Sequence, residues 1–152
     1  MKVLKWGFLA LVVVVLSGCG APPAPEISQE VIVTAKYDMA IEQIANMLTQ
    51  KHYTVTRVSR SKGIISTLFM DSKMESQMLE RPVREKALVL IKKSAGETLS
   101  ITISVIMESK DTEGLWVPAQ KESPLGEIAQ NKSATLASRA ERMVAVEEET
   151  AE

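Results

Sequence analysis

Thiol and imidazole chemistry rest on one residue each in this 152-residue chain, Cys19 and His52. One cysteine and one histidine cannot assemble a structural zinc cage, so no metal is expected. A catalytic His52 would need a hydrogen-bonded nucleophile and an orienting group, and the sequence suggests neither. Its place at the end of a helical stretch gives it an ordinary role, a cation at the negative helix terminus. Asp111-Thr112-Glu113 is too short for a calcium loop, which wants several spaced Asp and Asn oxygens. No glycine-rich phosphate loop, nucleophile elbow or paired-carboxylate constellation is present. Neither enzymatic activity nor a cofactor is expected.

Recognition chemistry is better represented. Arg57, Arg60 and Lys62 cluster in six residues, where cations suit phospholipid head groups or an acidic partner. A solvated hairpin would carry the same charges, and strand alternation means the three need not converge. Trp116 precedes Val117-Pro118 in an expected loop or edge. It serves either as a core aromatic or as an anchor for a partner, since Trp is enriched at binding hot spots.

The amino terminus reads as a secretory signal, with Lys2 and Lys5 ahead of the charge-free stretch WGFLALVVVVL. That stretch is half the ~20 apolar residues a spanning helix needs. Leu16-Ser17-Gly18-Cys19 resembles the lipobox of bacterial lipoproteins. The resemblance implies removal of residues 1–18, lipid on Cys19 and attachment to a membrane. Gly20 stands where an aspartate would imply inner-membrane retention, so the expected address is the outer membrane, facing the periplasm. Two or three acyl chains would make attachment permanent, because each buried methylene adds about 0.8 kcal/mol. Lipidation also uses the one thiol, leaving a fold without disulfides.

Loss of Lys2 and Lys5 leaves 16 basic against 19 acidic residues, a net charge of −3. That argues against a nucleic-acid partner, which needs a concentrated positive surface. The remaining 134 residues suffice for one domain with a core. The whole chain has only two Phe, two Tyr and two Trp, and Trp6 leaves with the signal, so that core must be mostly aliphatic.

Residues 19–28 carry three prolines and read as a lipidated linker, extended at about 3.1 Å per residue. A single domain is expected over 29–146, and EEETAE at 147–152 reads as a frayed acidic tail. Val31–Lys36 is β-branched and reads as a strand. Asp38 is a good N-cap for a helix to about Lys51 whose stripe is Ile41, Ile44, Ala45 and Leu48. Thr54–Arg60 and Gly63–Phe69 form a hairpin turning at Arg60-Ser61-Lys62-Gly63. Lys86–Lys93 is followed by a turn and by Leu99–Met107. There the odd positions are apolar and Ser100, Thr102 and Ser104 mark a wet face. Between them, 71–85 fits either a polar loop or a short helix through Met74 and Met78, stopped before Pro82. Residues 114–118 fit a short edge strand. Ser123 caps a last helix, with Pro124 in first position, running to about Ala145. Its narrow Ala- and Ser-rich stripe predicts loose packing against the domain or a partner.

The order β-α-β-β-β-β-α predicts an α+β domain: an antiparallel sheet of four to five strands, with a long helix on one face and a C-terminal helix. A helix, then Tyr-Thr-Val, then Lys-Gly-Ile-Ile-Ser-Thr resembles small helix-grip envelope lipoproteins. The repeated domains of the C lipoprotein of the outer-membrane β-barrel assembly machinery are of this type. The pattern spans Asp38 to Thr67, and there is room for one such domain. The expected function is that of a non-enzymatic, protein-binding accessory or scaffold subunit of the envelope. The alternative is a module holding a lipid or other apolar ligand between sheet and helix, with methionines as an adaptable lining.

Overall fold

The computed structural model describes residues 26–149. The signal stretch, Cys19 and most of the proline-rich linker lie outside them. The elements are β1 (Gln29–Thr34), α1 (Tyr37–Gln50), β2 (Val55–Ser59), β3 (Ile64–Thr67), β4 (Met70–Asp71), α2 (Lys73–Met78), β5 (Val83–Lys93), β6 (Thr98–Lys110), β7 (Trp116–Pro118) and α3 (Pro124–Glu149). The class is α+β, as the pattern of elements predicts. The antiparallel sheet has seven strands rather than four to five. Five lie in the order β1-β6-β5-β3-β2, while β4 pairs with β5 and β7 with β6. At two and three residues, β4 and β7 are too short to show alternation.

The long β5–β6 hairpin is the spine. Its register runs from Val83↔Ser109 to Lys93↔Leu99, so odd residues of both strands share one face. Val83, Ala87, Val89 and Ile91 of β5 and Leu99, Ile101, Ile103, Val105 and Met107 of β6 are all buried. A period of two sorts β-branched side chains onto one face, and burying each contributes about 1.5–3 kcal/mol. Ile41, Ile44, Met47 and Leu48 of α1 and Leu125, Ala129, Leu136, Ala137, Ala140 and Val144 of α3 complete the core. Both helices therefore cover one face of the sheet, α3 packing over β1 and β6 and beside α1.

Several expectations need correction. Helix α1 begins at Tyr37, its cap position is Lys36, and no side chain caps it. Asp38 sits one residue inside, where a carboxylate still favours the positive end of the helix. Helix α3 packs tightly, because its small residues let the backbone approach the sheet. Ser133, 1% exposed, accepts the Val105 N–H at 2.8 Å and donates to the Ala129 carbonyl at 2.7 Å. It thereby satisfies β6 in the gap between the stretches paired to β1 and β7. The helix also runs on to Glu149, three residues into the expected tail, since Glu is a good helix former. Ser104 is buried at 1% although it belongs to the expected wet face; it lies opposite Leu88 in the middle of the sheet. In α2, Met74 and Met78 are 77% and 59% exposed while Glu75 is buried. The polar residue of that short helix, not its methionines, faces inward.

Other local expectations hold. The Ser123 hydroxyl accepts the Gly126 N–H at 3.0 Å, capping α3 with Pro124 in first position. The β2–β3 hairpin turns at Gly63, whose φ is +63°. A Cβ there would stand 2.0 Å from the Ile91 carbonyl oxygen, so only glycine fits. Among the described residues no helix is long and apolar enough to cross a membrane.

Candidate functional site

The hairpin cations do not act together. Arg60 turns back onto α1, its guanidinium 2.6 Å from Glu42 and 3.3 Å from Asp38, and its carbonyl accepts the Tyr37 hydroxyl at 2.7 Å. Hydrogen bonds to those carboxylates raise its pKa further. Lys62 is exposed in the turn. Arg57 lies opposite Ser66, beyond an irregularity in register after Val55, and is exposed on the sheet face that no helix covers. His52 is also exposed and takes φ +68° just after α1. Its N–H donates to the Thr49 carbonyl at 3.0 Å, closing the helix.

Trp116 is half-buried on the open face. The Arg84 guanidinium lies 4.2 Å from its ring centre and 4.2 Å from that of Phe69, while Lys110 stands 5.3 Å from Trp116. Arg84 also donates through Nε and an Nη to one oxygen of Glu108, at 2.8 and 2.6 Å. A planar cation between two aromatic faces is held by their quadrupoles. Trp116 is thus not a core aromatic but a half-buried ring of the open face, flanked by cations.

A groove of about 880 Å³ runs between α1 and β2. Ala45 and Val58 supply apolar surface over buried Ile41, and Glu42, Asn46 and Ser59 a polar rim. Val58 is 44% exposed there. Among the described residues the outer edge of β2 has no neighbouring strand, so its backbone donors and acceptors on that side border the groove.

The second concentration of polar chemistry is buried. Glu85 lies on the core face of β5 and is 3% exposed. Tyr53 donates its hydroxyl to one carboxylate oxygen at 2.7 Å, and Ser72 to the other at 2.7 Å. Lys132 of α3 donates to that second oxygen and bridges to Glu75 of α2 at 2.7 Å. Burial works against the ammonium of Lys132, but bonds from Glu75 and Glu85 outweigh it and its pKa rises. For Glu75, burial raises the pKa, yet Lys132 and a backbone bond bring the net value below the usual range. Tyr53 is pushed strongly upward by burial and by Glu85. Lys132 and Tyr53 both donate to carboxylates, and the same contacts raise both pKa values. A pocket of about 400 Å³ borders the cluster, lined by Ile128, Leu136, Asn131 and Thr135 among others. Met47 and Met107 are buried core residues of the sheet–helix interface.

Sequence reasoning missed this cluster, although signals existed. Glu85 is in phase with buried Ala87, Val89 and Ile91, and Lys132 lies four residues from both Ile128 and Leu136. Among the described residues no group of three or more His, Cys, Asp or Glu is arranged to hold a metal ion. No protein-family model matches the chain, and no curated protein matches it.

Proposed function

We propose that this chain is a lipoprotein of the bacterial envelope, anchored through Cys19, that works as a non-catalytic, protein-binding accessory subunit. The partner contact in this reading is the groove between α1 and β2. The observation that carries it is the edge of β2, unpaired among the described residues, beside the apolar surface of Ala45 and Val58. Extended peptides bind such sites by adding a strand, with backbone hydrogen bonds for affinity and alternate side chains for specificity. The lipobox pattern at Leu16–Cys19 supports the anchor.

The test is purification of the full-length protein from its own membranes in mild detergent, after light crosslinking. A stoichiometric protein partner is expected with the natural sequence and absent with Val58→Asp or Ala45→Arg. Far-UV circular dichroism should show both variants folded. A partner retained by both variants removes the groove from the reading. Mass spectrometry of the amino terminus tests the anchor separately, since an unmodified Cys19 rules it out.

A further inference from the structure

We propose that the open face of the sheet is a docking surface for an anionic lipid bilayer; this rests on the lipid anchor proposed above. By strand alternation, five cations project from that face: Arg57 of β2, Arg84, Lys86 and Lys92 of β5, and Lys110 of β6. Three carboxylates share it, and two are occupied. Glu30 accepts the Ser100 hydroxyl, and Glu108 is held by Arg84, leaving exposed Asp71. The face is therefore net positive by two charges, while residues 19–152 as a whole carry −3. Among the described residues, positive charge is gathered on the sheet face that α1 and α3 leave open.

The apolar groups on this face suit a membrane interface. Ile32 of β1, opposite Ser100, is 58% exposed. Trp116 and Phe69 are partly buried beneath Arg84 and the flanking Lys110 and Lys86. Indole rings and long cationic side chains favour the headgroup level, where apolar bodies and charged ends are both satisfied.

Chain length supplies the second argument. Nine residues, Gly20 to Ser28, separate Cys19 from β1, so even a fully extended linker reaches only about 30 Å. It ends on β1, an edge strand of the same sheet. The face is thus held at high effective concentration over the headgroups, and contact brings its cations within a Debye length of about 8 Å.

The test uses the processed, lipidated protein, residues 19–152, in which Trp116 is the one tryptophan. It is reconstituted into vesicles of phosphatidylcholine, alone or with phosphatidylglycerol, some with brominated acyl chains. Bromolipid quenching and a blue shift of Trp116 are expected in the anionic vesicles only. Arg57→Gln and Lys92→Gln should each lower the docked-to-undocked ratio about five-fold, with vesicle flotation unchanged. Protein that floats with the vesicles yet gives no quenching, or equal quenching in both lipids, overturns the docking. So does crosslinking of this face to a partner protein in native membranes. Failure to float at all would instead reject the anchor, which separates the two readings.

Discussion

Lys132 of α3 donates a hydrogen bond to Glu85 of β5, joining the C-terminal helix to the central strand through a carboxylate only 3% exposed. The same ammonium reaches Glu75 of α2, so one cation ties three elements. With Tyr53 and Ser72 also on Glu85, every oxygen of that carboxylate has a partner. The arrangement is a positional device. It decides where α2 lies against α3, and burial makes it costly to leave half-made.

Replacing Lys132 by Met should therefore destabilise strongly, by about 3–5 kcal/mol, because two buried carboxylates lose their counter-ion. Lys132→Met combined with Glu85→Gln should cost less than the sum of the single changes, since the pair is coupled. Urea unfolding of the four proteins measures the difference. Strict additivity would mean that the two groups do not interact.

The same cluster sets the pH range of stability. Tyr53 and Lys132 both have raised pKa values. In the unfolded chain they lose their protons near pH 10, while the folded protein still holds them. Stability is then full below about pH 10 and falls as pH rises above it. Glu75 is lowered, so its contribution is present above about pH 4.3 and is lost as pH falls through its folded value. Urea midpoints from pH 3 to 11 should form a plateau with both shoulders. Tyr53→Phe should flatten the alkaline shoulder relative to the natural protein.

Ser133→Ala removes the acceptor of the Val105 N–H at a site 1% exposed. The expected loss is about 1–3 kcal/mol, the cost of a buried donor left without a partner. Amide exchange at Val105 should accelerate more than at Ile101. Unchanged exchange would show that another group or water takes the place of the hydroxyl.

Two glycines separate strain from space. Gly63→Ala sets a Cβ against the Ile91 carbonyl as well as requiring a positive φ, and should cost more than about 2 kcal/mol. Gly96→Ala has φ +65° but nothing within 4 Å, so about 1 kcal/mol is expected. Thermal unfolding of the two variants gives the order directly, and equal losses would refute the steric account.

What was legible in the sequence was whatever repeats along the chain. Leu99, Ile101, Ile103, Val105 and Met107 declared a strand and its buried face, and Ile41, Ile44 and Leu48 declared a helix and its inner stripe. Ser123-Pro124 declared a helix start. These signals are local, since period and cap chemistry are fixed by neighbouring residues. Tertiary structure decided what depends on residues far apart in sequence. Glu75 turned inward because Lys132, 57 positions away, compensates its charge. Met74 and Met78 faced outward for the same reason, against their polarity. Ser133 and the alanines of α3 read as a loose stripe until β6 was placed beside them, and small size then became close packing. Arg57 and Arg60 are three apart, so strand alternation already separated them, but only the pairing of β2 with β3 decided that Arg57 took the open face and Arg60 the side of α1.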